Sequence, residues 1–115
     1  MGKPEGIIEK HLVKRCNENG FLCRKYVSPA YKGVPDRIVI ARGHVVFIEL
    51  KSAVGNLSEL QKREIKRMLL SGADVRVCNN KEQIDNFISE ALGWKVKRYK
   101  IQPDMVELLG KDDET

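Results

Sequence analysis

The chain reads as an α/β domain with a mixed central sheet flanked by helices, in the order αβββαβα. Three observations predict it. Helical and strand periodicities alternate along the first 93 residues, two β-branched runs lie close enough for a hairpin, and the next strand follows a helix, which sets it parallel to its predecessor. At 115 residues the chain supplies one hydrophobic core and not two. Residues 1–93 are therefore taken as the core, and 94–115 as an extension that is first basic and then acidic.

Pro4 stands where a first helical turn tolerates it and Asn19-Gly20 supplies a left-handed stop, so residues 4–19 form the first helix. Ile8, Leu12 and Cys16 recur at every fourth position, with Ile7 and Val13 broadening the stripe. Phe21 to Val27 is strand-like, and the breaker-rich loop Ser28 to Pro35 then delivers Asp36. Two apolar runs, Arg37 to Ala41 and Val45 to Leu50, are joined by Arg42-Gly43-His44 into an antiparallel hairpin. Runs this continuous suit central strands covered on both faces. Ser58-Glu59-Leu60-Gln61 fits a capping box, and Leu57, Leu60, Ile65, Met68 and Leu69 mark a second helix ending at Ser71-Gly72. Asp74 to Cys78 is a short strand. Asn80 caps a third helix with Ile84, Phe87, Ile88 and Leu92 on one face and Gly93 at its stop. Beyond Trp94 come a basic cluster, Lys95 to Lys100, a short helix from Pro103 to Leu109, and an acidic tail, Lys111 to Thr115.

Composition narrows the partners. With 42% hydrophobic and 32% charged residues the chain is a soluble globular protein, not a disordered or membrane one. Its 21 Lys+Arg against 16 Asp+Glu give +5; the last five residues hold one positive and three negative charges, so residues 1–110 carry +7. That excess suits a polyanion. Cys16, Cys23 and Cys78 lack zinc-ligand spacing, as do His11 and His44, and they read as free thiols in a reducing compartment. No apolar run approaches membrane-spanning length, and Gly2 is not followed by a myristoylation pattern. We expect a cytoplasmic protein with no membrane partner.

The chemistry concentrates in Pro35-Asp36 and, thirteen residues after the aspartate, Glu49-Leu50-Lys51. Strand alternation puts Glu49 and Lys51 on one face and Leu50 on the other, and the hairpin brings Asp36 beside Glu49. Two converging carboxylates repel and resist desolvation, so they need a cation, and a hard divalent ion that keeps several waters is the economical one. Lys51 then stands where it can assist a water or stabilise phosphate charge. Taken singly, Glu-x-Lys is an ordinary solvated pair and Pro-Asp an ordinary turn. Their combination in this element order is not ordinary.

Gly33-Val34-Pro35-Asp36-Arg37, Phe47-Ile48-Glu49-Leu50-Lys51 and Gly55-Asn56-Leu57-Ser58-Glu59-Leu60-Gln61 together resemble the VRR-Nuc domain, a branch of the PD-(D/E)XK nuclease superfamily. The resemblance runs from about Pro4 to Gly93 and implies a restriction-endonuclease-like core, similar to Holliday junction resolvases. It implies phosphodiester hydrolysis dependent on Mg²⁺ or Mn²⁺, with no nucleotide cofactor, and stand-alone members are often phage-encoded, hence at work in a host cytoplasm. Carried over, Asp36, Glu49 and the Leu50 carbonyl are metal ligands and Lys51 is the catalytic lysine. Glu9 matches the acidic residue of the family's first helix, its alternative being a helix-surface carboxylate paired with a neighbouring Lys or Arg. Gln61 matches a glutamine that approaches the catalytic lysine; its alternative is the capping box, and one side chain is not expected to serve both. The extension from Trp94 has no counterpart, and its Pro103-Asp104 lacks a following Glu-x-Lys.

Tyr31 and Lys32, in the loop leading to Asp36, are the best candidates for DNA contact, followed by Lys14 on the first helix and Lys62 and Lys66 on the second. The expected protein is a structure-selective endonuclease of branched DNA, above all four-way junctions. Because such a junction has two equivalent strands and one short chain one active site, a homodimer fits, with the extension as a dimerisation or DNA-contact arm. A nonspecific or flap nuclease, and a non-catalytic basic DNA-binding module, are the alternatives.

Overall fold

The computed structural model describes residues 4–52 and 55–110. Its elements are α1 (Pro4–Glu18), β1 (Leu22–Lys25), β2 (Arg37–Ala41), β3 (His44–Leu50), α2 (Glu59–Leu70), β4 (Asp74–Cys78), α3 (Lys81–Leu92) and α4 (Pro103–Leu109). The four strands form one sheet in the order β1-β2-β3-β4, antiparallel except that β4 runs parallel to β3. This is the mixed sheet with flanking helices that the periodicities predict. His44 belongs to β3, leaving Arg42-Gly43 as a two-residue turn with φ +54 and +84, the paired left-handed geometry that matches the twist of a tight hairpin.

One face of the sheet carries the core. Cys23, Val39, Ala41, Val46, Ile48, Leu50 and Cys78 pack there beneath α1 (Ile8, Leu12, Cys16) and α3 (Ile84, Phe87, Ile88, Ala91). Leu12, Ile48, Ile84 and Ile88 are fully buried, each stabilising the fold by about 1.5–3 kcal/mol. All three cysteines are buried and free. The second face is not covered along its whole length, contrary to what the apolar runs suggest. At the hairpin end Leu22, Ile40 and Val45 are 42%, 37% and 49% exposed, whereas Glu49 at the other end is 1% exposed.

Among the described helices α2 lies over this second face, and of its apolar stripe only Ile65 is buried; Leu60 and Leu69 stay exposed. Ile7 of α1 and Leu92 of α3 are exposed as well, with Ala91 taking the inward position on α3. Periodicity marks which residues share a face and does not say how much of that face is covered. The caps are as expected: Ser58 accepts from the Gln61 N–H, Asn80 from the Gln83 N–H, and Gly20 closes α1 at φ +70.

Residues 94–97 cross the hairpin turn. The Lys97 N–H donates to the Arg42 carbonyl at 2.8 Å, the Arg42 guanidinium to the Trp94 carbonyl at 2.6 Å, and His44 Nε2 bonds the Lys95 carbonyl at 2.9 Å. Trp94 packs on His44, Phe87 and the Arg76 guanidinium. Past this anchor every residue from Lys95 to Gly110 is exposed, and α4 buries none of its residues. The radius of gyration, 16.0 Å, accordingly exceeds the about 13 Å of a compact chain of this length. The acidic tail and Met1 to Lys3, including Gly2, lie outside the described residues, as do residues 53–54 of the loop before α2.

Gly43 combines positive φ with a Cβ position that the Lys97 backbone already fills. Gly43→Ala is therefore expected to lower the thermal unfolding midpoint by the equivalent of about 1 kcal/mol or more, whereas Gly6→Ala, in open space on α1, leaves it unchanged or raises it. Equal midpoints for the two variants would contradict this account of the turn.

Candidate active site

Pairing of Arg37 with Ile48 places the preceding Asp36 opposite Glu49, on the face that carries Phe47 rather than the core. Two bonds fix Asp36. Its backbone carbonyl accepts the Tyr26 N–H at 2.9 Å, and its Oδ2 accepts the Leu50 N–H at 2.8 Å. In a strand a residue's carbonyl points to the same side as its own N–H, so the Leu50 carbonyl faces the Asp36 side of β3. Lys51 continues the strand direction, its N–H donating to the Cys78 carbonyl at 2.9 Å.

Among the described residues Glu49 is the one charged residue that is buried, at 1% exposure. Its Oε2 accepts from Gln61 Nε2 at 2.8 Å and lies 3.5 Å from Lys51 Nζ. Its Oε1 is buried with no partner. Burial, and then the negative charge of Asp36, push the Glu49 carboxyl up to about 7, with Lys51 pulling the other way. An unpaired carboxylate oxygen of this kind is costly unless it is protonated or holds a cation. The donor set of two carboxylates and a backbone carbonyl fits a divalent ion of the Mg²⁺ type, which takes few protein ligands and keeps its waters. Among the described residues no group of three or more His, Cys, Asp or Glu side chains converges.

Against known proteins, the chain is 37% identical over 79 residues to "Putative nuclease p44" of Acyrthosiphon pisum secondary endosymbiont phage 1, which spans 68% of this chain and 85% of that protein. It is also similar to a solved structure described as a VRR_NUC domain, with a TM-score of 0.71 and 32% identity over 76% of this chain and 97% of the other. The chain belongs to the VRR-Nuc family. No family model matches it.

Two VRR-Nuc positions differ from expectation. Gln61 serves both roles assigned to it as alternatives: its Oε1 accepts the Ser58 N–H at 2.8 Å in the capping box while its Nε2 reaches Glu49. An amide has an acceptor end and a donor end, and the cap uses only the first. The partner is the Glu49 carboxylate, not the lysine. Glu9 does not join the carboxylate pair; its Oε2 accepts from Arg37 Nε at 2.8 Å, the helix-surface pairing given above as its alternative. Arg37 itself was not singled out in the sequence, although, like Glu49, it is a charge at the end of an apolar strand.

The DNA-contact candidates fall in two places. Tyr31 and Lys32 are exposed and face Leu60, Arg63 and Arg67 of α2, the helix that also carries the exposed Lys62 and Lys66. Lys14 lines a separate hollow of about 500 Å³ on α1 with Glu9, Lys10 and Arg37.

Because Glu49 ionises at about 7 in the folded, metal-free protein against an ordinary 4.5, the fold retains a proton that the unfolded chain has lost between those values. The stabilisation is full below pH 4.5 and is lost as pH rises through 7, on the order of 3 kcal/mol. The unfolding midpoint in chelator should fall between pH 5 and pH 8, and Glu49→Gln should flatten most of that slope. An unchanged slope in the variant would contradict this.

Proposed function

We propose that this chain is a metal-dependent endodeoxyribonuclease that hydrolyses backbone phosphodiesters of branched DNA, above all four-way junctions, as a homodimer. The observation that carries the reading is the Glu49 carboxylate, buried with one oxygen unpartnered, beside Asp36 and Lys51 in a VRR-Nuc fold. A non-catalytic DNA-binding module would gain nothing from that arrangement, since its binding needs cations at the surface and no buried carboxylate.

Asp36, Glu49 and the Leu50 carbonyl would hold Mg²⁺ or Mn²⁺. When bound, the ion polarises the scissile phosphate and lowers the pKa of a water. Gln61 holds Glu49 Oε2, leaving Oε1 for the ion. Lys51, its side chain only 15% exposed and 3.5 Å from Glu49, would orient the attacking water and offset charge on the phosphate. Glu9 is engaged on the other face of the sheet, where it pairs with Arg37, and stabilises the start of β2 next to Asp36 in sequence. Tyr31, Lys32, Lys62, Lys66 and Lys14 engage the DNA, with salt-dependent affinity.

The dimer is supported by α4. Met105, Val106, Leu108 and Leu109 are 40–84% exposed on a helix that has no buried residue, which is a poor end state for a lone chain. Residues 94–115 thus serve as an arm engaging a second copy, while 1–93 hold the nuclease core. No described helix is long and apolar enough to cross a membrane, and a phage-encoded relative fits action in a host cytoplasm.

Cleavage of labelled four-way junction, flap and linear duplex DNA, with Mg²⁺, Mn²⁺ or chelator, tests the activity. Paired symmetric nicks in the junction are expected, abolished by chelator and reduced at least 100-fold in Glu49→Ala. Equal cutting by that variant would refute the site; comparable cutting of linear duplex would refute the selectivity. For assembly, light scattering at micromolar concentration should give twice the chain mass, and Leu108→Glu with Leu109→Glu should halve it. A wild-type monomer would remove the dimer.

A further inference from the structure

We propose that the groove between the loop before Asp36 and helix α2 seats one unpaired nucleotide of the substrate, its base stacked on Tyr31 and its phosphates on Lys32, Arg63 and Arg67. This rests on the nuclease reading and sets a second substrate class beside the fully paired four-way junction: branched DNA with a single-stranded step next to the cut.

Two adjoining hollows, of about 410 and 340 Å³, share Tyr31, Glu64 and Arg67 in their walls. The larger one has an apolar lining of Phe47 and Met68, while Lys32 and Arg63 line the other. Tyr31 is 58% exposed, with its loop on one side and an open groove on the other. Cations alone would suffice for a duplex backbone. An exposed aromatic ring beside an apolar lining, flanked by cations, instead matches the two chemistries of a nucleotide, a flat base and a charged phosphate.

Glu64 sharpens the assignment. Its side chain is only 18% exposed and its nearest cation, Arg67, is 4.0 Å away. A carboxylate there repels a phosphate placed against it and accepts from the N–H groups on a base edge, so the base lies over the apolar hollow and the phosphates lie toward Lys32 and Arg63.

The groove is also built into the active site. Gly33, at φ +88, lets the loop lie against the first turn of α2, where a Cβ would sit 2.5 Å from the Leu60 carbonyl oxygen. That same turn carries Gln61 to Glu49, and Phe47 lies two residues before Glu49 on the same sheet face. A base in the groove is therefore registered against the carboxylates.

The test uses the full chain in chelator, so that no strand is cut, and a branched duplex with a single 2-aminopurine at its unpaired position. Quenching of 2-aminopurine on binding is expected, together with a loss of affinity of about 5- to 100-fold in Tyr31→Ala and near wild-type behaviour in Tyr31→Phe. Arg67→Gln should weaken binding and make its salt dependence shallower, while the bound complex still quenches. Absence of quenching, or equal affinity of Tyr31→Ala and wild type, overturns the proposal. So does dissociation of a dimer by Tyr31→Ala with DNA affinity intact, which would make the groove a seat for a second copy. Cleavage in Mg²⁺ is scored separately: cutting without quenching leaves the nuclease reading standing and removes the groove, whereas Tyr31-dependent quenching without cutting does the reverse.

Discussion

A carboxylate with almost no access to water, at the end of an apolar strand, is the constraint on which the rest of this structure depends. Glu49 is 1% exposed, and burying its charge is unfavourable unless every lone pair is answered. Two answers come from the protein, Gln61 and Lys51, and both go to Oε2. Oε1 has none. Asp36 adds a second negative charge and makes matters worse, which is why the Glu49 carboxyl is pushed up to about 7. The arrangement is unfavourable for stability and suited to a divalent ion, as expected of a site where local rules are broken for function.

Several features of the sheet and of α2 follow from holding that carboxylate in place. The tight turn at Arg42-Gly43 sets the register that puts Asp36 opposite Glu49, and the Leu50 N–H locks the Asp36 side chain. The capping box does more than begin a helix: by bonding Gln61 Oε1 to Ser58, it leaves Nε2 aimed at Glu49. The core on the opposite face, with Ile48 and Leu50 buried between the sheet and its helices, keeps β3 from shifting by one residue, which would exchange Glu49 for a leucine. The two faces of one strand thus divide the labour, stability on one and chemistry on the other.

Much of this was legible in the sequence, because it depends on local pattern. Strand alternation separates Glu49 from Leu50, the short link between β2 and β3 announces the hairpin, and Ser58 with Gln61 announces the cap. What was not legible depends on coverage and on pairing at a distance. Nothing in an apolar run tells that Leu22, Ile40 and Val45 stay open at one end of the face while Glu49 is enclosed at the other. The Glu9–Arg37 pair joins residues 28 apart, so spacing alone left Glu9 with two readings. The two ends of the Gln61 amide serve different partners, which residue type and spacing do not reveal, and nothing in Pro103 to Leu109 tells that α4 buries none of its residues.

The central claim is that Asp36 and Glu49, with the oxygen left free on Glu49, form a divalent-cation site. Calorimetric titration of Mn²⁺ into the wild type, Glu49→Gln, Asp36→Asn and Glu9→Gln, with circular dichroism confirming that each is folded, tests it most directly. The account predicts saturable binding by the wild type and by Glu9→Gln, and its loss in the other two. Undiminished binding by Glu49→Gln and Asp36→Asn would contradict it.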